Sequence, residues 1–174
     1  MSRSFWTFLP LLLMASCVHK YAVPPLPEAD ALLPAESSVY VTTPRDGQDD
    51  RPRTYVGSGE WTRSAITAAL RGRGMQVTEG GPADGSSELI ARAAQVGAGF
   101  AVDCQIVHWS DRVTEWSGIP DRITLDLSVY DVATGAALNR QQVRASSRWA
   151  TLGGDHPQDL LPELTRRWAE SVSD

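Results

Sequence analysis

Ile123, Leu125, Leu127 and Val129 alternate without interruption with Thr124, Asp126, Ser128 and Tyr130. A period of two puts the four aliphatic side chains on one face of a β-strand and the others on the opposite face. Such a strand needs a covering layer on its apolar side, so the chain must build a sheet with something packed against it. The neighbouring stretches extend the pattern. Upstream, Phe100, Val102, Cys104 and Ile106 share a face of a strand running to Trp109. Downstream, Asp131-Val132-Ala133-Thr134-Gly135 is a hairpin turn, and Leu138 to Trp149 returns with Val143, Ala145, Ser147 and Trp149 in phase. Three such strands joined by short connections predict an antiparallel meander.

The preceding residues alternate between strand and helix signals. Val39-Tyr40-Val41-Thr42-Thr43 is a β-branched run, followed by a charged, turn-rich loop from Pro44 to Pro52. Ser58 is the expected N-cap of a helix from Trp61 to Arg73, with Glu60 in its first turn. Trp61, Ala65, Ala68, Ala69 and Leu70 are its expected apolar face, and Gly72 and Gly74 end it. Met75 to Thr78 reads as a strand and Gly80 to Gly85 as a loop. Ser86 or Ser87 opens a second helix that buries Leu89, Ile90, Ala93, Ala94 and Val96. Near the end, Asp155 and Gln158 have the spacing of a capping box. A short turn at Pro157 to Leu161 then leads into a helix from Pro162 to Val172, with Leu161, Leu164, Trp168 and Val172 near one face. The expected order is β-α-β-α-β-β-β-α. The fold class is α/β: a two-layer sandwich with a mixed, mostly antiparallel sheet and helices on one face. Parallel pairing falls where a helix crosses between strands.

The chain begins differently. Arg3 is followed by the apolar run Phe5 to Met14 and then by Ala15-Ser16-Cys17. The run is shorter than the ~20 apolar residues that span a bilayer, and small residues precede the cysteine. This arrangement resembles a signal peptide ending in a bacterial lipobox, which makes Cys17 the lipidated first residue of the mature chain. Val18, rather than Asp, follows it, and resemblance to sorted lipoproteins then implies the outer membrane. The expected organisation is a signal peptide over 1–16, the lipidated Cys17 and a Pro-rich tether over 17–37, and one periplasmic domain over 38–174. Pro24, Pro25, Pro27 and Pro34 favour an extended tether, with a reach of roughly 60 Å at about 3.1 Å per residue. The alternative is that part of it packs back on the domain.

The formal net charge is -5, and loss of Arg3 with residues 1–16 makes it about -6. Basic and acidic residues are interspersed, with no basic run after Cys17. Nothing in this pattern predicts nucleic-acid binding or a polybasic membrane segment. The only other cysteine is Cys104, whose apolar neighbours predict a buried thiol.

Three stretches carry a resemblance: Trp109 to Arg122 (with Trp116-Ser117-Gly118-Ile119-Pro120-Asp121), Tyr130 to Gly135, and Arg148 to Leu161 (Arg148-Trp149-Ala150-Thr151-Leu152-Gly153-Gly154-Asp155-His156-Pro157-Gln158-Asp159-Leu160-Leu161). Together they resemble a family of small proteobacterial lipoproteins with a domain of unknown function, over about Val39 to Trp168. The resemblance implies a single periplasm-facing domain and transfers no activity. At the level of fold the strand order is also similar to small αβ domains of envelope assembly and secretion proteins, which warrants little about function.

The chemistry-bearing residues are sparse. Asp155, His156 and Asp159 sit beside Gly153-Gly154, but a metal site needs three or four convergent ligands, so a turn feeding a capped helix is the simpler reading. His108 and Asp111 have the residue types of an acid–base pair, with Ser110 or Ser117 as nucleophile. No Gly-x-Ser-x-Gly elbow accompanies them, and a plain hydrogen bond is the commoner outcome. Trp109, Trp116 and Trp149 fit two readings. They either gather with Arg112, Arg122 and Arg148 as an aromatic and cationic binding surface, or plug the end of the core. The expectation is a non-enzymatic outer-membrane lipoprotein without metal or cofactor. It would face the periplasm as an accessory, adaptor or assembly factor with an envelope-protein or peptidoglycan partner. The alternative is a binding module for cell-wall glycan or a small ligand.

Overall fold

The computed structural model describes residues 19–25, 33–51, 53–111, 120–147 and 156–173. Cys17, Arg112, Trp116, Arg148 and Trp149 therefore lie outside the described residues, as does Asp155. Six strands form one mixed sheet in the order β1-β6-β5-β4-β2-β3. They are β1 Lys20–Ala22, β2 Ser38–Thr42, β3 Gln76–Gly80, β4 Phe100–Ser110, β5 Arg122–Asp131 and β6 Ala137–Ser146. The meander is present: β4 with β5 and β5 with β6 are antiparallel. β2 pairs in parallel with β3 on one side and β4 on the other. Three helices accompany the sheet, α1 Ser58–Gly72, α2 Ser86–Gln95 and α3 Leu161–Val172, with a 3-10 turn at Pro157–Leu160 leading into α3. No helix among the described residues is long and apolar enough to cross a membrane.

One feature of strand order changes the expected layering. β3 and β4 flank β2, so the crossover through α1 and the crossover through α2 travel in opposite directions across the sheet. Right-handed crossovers in opposite directions must pass over opposite faces. Val39, Val41, Val102, Cys104, Leu125, Leu127 and Val129 accordingly form one core with Ile66 and Leu70 of α1 and Leu164 and Trp168 of α3. Tyr40, Ala101 and Tyr130 point the other way and pack with Leu89 and Ala93 of α2. The expectation of helices on one face thus holds for α1 and α3 and is corrected for α2. Cys104 is buried in the larger core. Burial, followed by the charges of Asp103 and Asp126, pushes its thiol well above its usual range.

The start of α1 also departs from expectation. Its N-cap is Gly57, with a positive φ of 90°, and the capping group is Asp46 from the loop after β2. Asp46 accepts hydrogen bonds from the N–H of Gly57 at 3.1 Å and of Gly59 at 2.8 Å. Ser58 is instead buried, accepting from the Gly47 N–H at 2.8 Å. A Cβ on Gly59 would lie 2.2 Å from the Pro44 carbonyl oxygen, so only glycine admits this loop. The buried face of α1 is Thr62, Ile66, Thr67 and Leu70, while Trp61 is 46% exposed. Thr62 enters the core because its hydroxyl donates to the Ser58 carbonyl at 2.8 Å. Asp46→Ala should cost about 1–3 kcal/mol, since two N–H groups at a helix start lose their acceptor. Urea unfolding measures this, and a change below ~0.5 kcal/mol would mean that water caps α1 equally well.

The described part of the Pro-rich segment packs on the domain. β1 is a sixth strand that the expected order lacks. It adds to β6 with Lys20, Tyr21 and Ala22 opposite Ser146, Ala145 and Arg144. The Pro24 carbonyl accepts from the Gln141 side chain at 2.8 Å, and the Arg167 guanidinium of α3 lies 5.0 Å from the Tyr21 ring centroid. Leu33 is buried, and its N–H donates to the Val172 carbonyl at 2.6 Å. A three-residue strand has no periodicity to reveal it in sequence. It is fixed by the ladder and by Tyr21, which packs against the core.

Candidate functional site

Of the residues singled out for chemistry, the described ones His108, Trp109, Ser110, Asp111, Arg122 and His156 lie at the end of the sheet where β4 finishes and β5 begins, and a bulge decides how those of β4 point. The β4–β5 register shifts between Ile106 and His108, so that Ile106 opposes Leu125 but Trp109 opposes Ile123. One extra residue reverses the side-chain parity of everything beyond it. Val107 is left 52% exposed and Trp109 turns into the core at 1% exposure. Its ring centroid lies 6.3 Å from that of Trp61, and its backbone N–H donates to the Gln48 carbonyl at 2.8 Å. Of the two readings of Trp109, the plug at the end of the core is the one its burial fits; as an exposed platform residue it is corrected. Arg122 is exposed at the start of β5, and its backbone N–H donates to Ser110 Oγ at 3.1 Å.

Around Trp109 the described polar groups contact one another in a short chain, with His108 apart from it. Tyr55 Oη accepts from the Asp111 N–H at 3.2 Å and lies 3.2 Å from Asp49 Oδ2, to which it donates. Burial opposes the Asp49 charge, but bonds from the Arg51 N–H, Tyr55 and the Arg51 guanidinium outweigh it and hold the carboxyl below its usual range. His108 Nδ1 lies 3.7 Å from Asp50, and His156 Nδ1 lies 3.6 Å from Asp111. The expected His108–Asp111 pair is thus replaced by two different partnerships. His156, rather than Asp155, precedes the 3-10 turn, and its N–H donates to Asp159 at 3.0 Å. Among the described residues no three His, Cys, Asp or Glu side chains come together as a metal-binding group.

A second region had no motif to mark it. A cleft of about 490 Å³ opens at the carboxyl ends of β2 and β3, lined by Thr43, Arg45, Asp46, Asp84, Asp103 and Gln105 among others. It arises from the topology: the chain leaves β2 toward α1 on one face and leaves β3 toward α2 on the other. Adjacent strands whose connections diverge leave a crevice between them, the usual ligand position in open α/β sheets. Arg45 donates to Asp84 at 2.8 Å at its mouth, and both are exposed. Asp46 is committed to α1 and Asp103 accepts from Gln105 at 3.5 Å. Each of these carboxylates already has a donor, which suits the cleft to polar binding more than to proton transfer. Only the strand order, which the sequence does not display, would have located it.

The fold is similar to that of PelC from Paraburkholderia phytofirmans, a dodecamer, with a TM-score of 0.65 and 12% identity over 90% of this chain and 99% of that one. It is also similar to protein XCC0632 from Xanthomonas campestris, at 0.54 and 10% identity over 84% and 88% of the two chains. The hypothetical protein CT253 from Chlamydia trachomatis matches at 0.51 and 12% identity over 78% and 98%. At these identities the likeness is one of fold. No curated protein matches the chain in sequence. Residues 31–172 match the family described as "Domain of unknown function (DUF4823)", and the chain belongs to that family.

Proposed function

We propose that the chain is an outer-membrane lipoprotein, anchored through Cys17, whose domain faces the periplasm and serves as a non-enzymatic accessory, adaptor or assembly factor of the cell envelope. The observation that carries this reading is the close succession of the lipobox and the domain. Three residues after Cys17 the chain is already part of the sheet, as β1. An anchor placed there presents the domain at the membrane surface, where an envelope partner would meet it. The separate pairing of His108 and His156 also supports a role other than catalysis. The partner surface remains the one expected from Arg112, Trp116, Arg122, Arg148 and Trp149, now without Trp109.

The test is affinity capture from detergent-solubilised membranes with wild-type and Trp116→Ala protein. A stoichiometric envelope protein, captured by the wild type and reduced at least about ten-fold by the variant, is the expected result; a drop of that size is ~1.4 kcal/mol, within the range of an interface Trp. No specific partner from repeated captures would overturn it. The polar cleft favours a second reading, a binding module for cell-wall glycan or a small ligand. Saturable co-sedimentation with purified peptidoglycan would support that reading over the first.

A further inference from the structure

The register of β1, β6 and β5 assembles a basic corner from residues far apart in sequence. Lys20 lies opposite Ser146, and Ser146 opposite Arg122. Directly opposed residues share a face of the sheet, so Lys20 and Arg122 project from the same side, about 10 Å apart across two strand spacings. Arg144 is two residues from Ser146 on β6 and projects from that face as well, about 7 Å along the strand. All three are exposed. The described contact of the Arg144 side chain is with the side-chain oxygen of Gln142. Among the described residues no carboxylate forms an ion pair with any of the three. Of the nearby carboxylates, Asp126 accepts from Gln142 at 2.8 Å, and Asp50 lies 3.7 Å from His108, which opposes Thr124 on this face.

This is the face that α1 and α3 leave open, and α2 covers only its distant end around Tyr40, Ala101 and Tyr130. It is also where the chain arrives from Cys17. Three residues span at most about 10 Å, so an acyl anchor on Cys17 brings Lys20, at the edge of the corner, within about a Debye length of the headgroups. A cluster of cations that no described carboxylate pairs is a departure at that point for a chain of net charge -5. The geometry points to a membrane-docking corner, Lys20, Arg122 and Arg144, that binds the phosphates of anionic phospholipids. Guanidinium groups suit phosphate oxygens because their N–H donors are planar and paired. The inference rests on the lipoprotein reading of Cys17 and adds to it an orientation: the β1 edge sits on the bilayer.

The experiment uses the mature chain, residues 17–174, with Cys17→Ala so that no acyl group contributes. It is sedimented with vesicles of phosphatidylglycerol and phosphatidylethanolamine, and with vesicles of phosphatidylcholine alone. Salt-sensitive binding to the anionic vesicles only is expected. Combined Lys20→Gln, Arg122→Gln and Arg144→Gln should lower partitioning roughly 100-fold, at about five-fold per cation. Arg45→Gln, Arg71→Gln and Arg92→Gln together, the same charge change elsewhere, should lower it less than about five-fold. Equal binding to both vesicle types, undiminished binding of the corner variant, or equal loss in the two triple variants would overturn the proposal. The mass of Cys17 peptides from native membranes reads the anchor separately: an unmodified thiol removes the lipoprotein reading, whatever the vesicles show.

Discussion

Cys17→Ala, produced behind a cleavable secretory leader in place of residues 1–16, is expected to move the protein from the membrane pellet to the soluble periplasmic fraction. The wild type should stay in the pellet through high-salt washing. The size of the effect follows from the acyl chains. Each buried methylene contributes about 0.8 kcal/mol, and a single fourteen-carbon chain already gives an affinity on the order of 10⁴ M⁻¹. A bacterial lipoprotein carries several chains, so their loss changes partitioning by many orders of magnitude. The basic corner cannot replace them, because its attraction is screened by salt over a few ångströms. Thermal stability should be unchanged within about 0.5 kcal/mol. A variant that remains membrane-bound after high-salt washing would sink the lipoprotein reading.

An anchor on Cys17, as proposed, would act on a short leash, and that part of the organisation was hidden in the sequence. Four prolines between residues 24 and 34 suggest an extended spacer. The spacer instead begins with a strand, because the free edge of β6 offers unpaired N–H and C=O groups to any extended chain beside it. Lys20-Tyr21-Ala22 needs no pattern of its own to accept them. Leu33 then closes against Val172, so both ends of the described segment are tied to the domain. For the proposed anchor, a reach of roughly 60 Å would become about 10 Å, and a partner would be met at the bilayer rather than in the depth of the periplasm.

What was legible was local. Strict alternation placed Ile123, Leu125, Leu127 and Val129 in the core of β5, and helical spacing placed Leu161, Leu164, Trp168 and Val172 in the buried face of α3. What was not legible depends on how elements meet. Leu89 and Ala93 mark an apolar face on α2 but cannot say which side of the sheet receives it; that follows only once β3 and β4 flank β2. The basic corner is of the same kind. Lys20, Arg122 and Arg144 are spread over more than a hundred residues, and only register brings them to one face.

Trp109→Ala is expected to destabilise the domain by about 3–5 kcal/mol, the range for removing a buried tryptophan. That is a large share of the ~5–15 kcal/mol that holds a typical domain together. The phase of β4 before the bulge, with Phe100, Val102, Cys104 and Ile106 inward, would send Trp109 to the open face, where its loss would cost within about 0.5 kcal/mol. Val107 inserts one residue, and the ring goes inward opposite Ile123 instead. The Gly47 loop closes over the bulge so tightly that a Cβ there would lie 2.5 Å from Ile106 Cγ2 and 2.7 Å from Trp109 Cβ. The cavity left by Ala could not be filled by that loop, since its backbone is tied to Ser58 Oγ and to the Trp109 N–H. Urea unfolding should therefore show a much lower midpoint with an unchanged slope. A stable Trp109→Ala variant that loses only partner capture would return this ring to the binding surface, and would mean that the shift between Ile106 and His108 does not hold in solution.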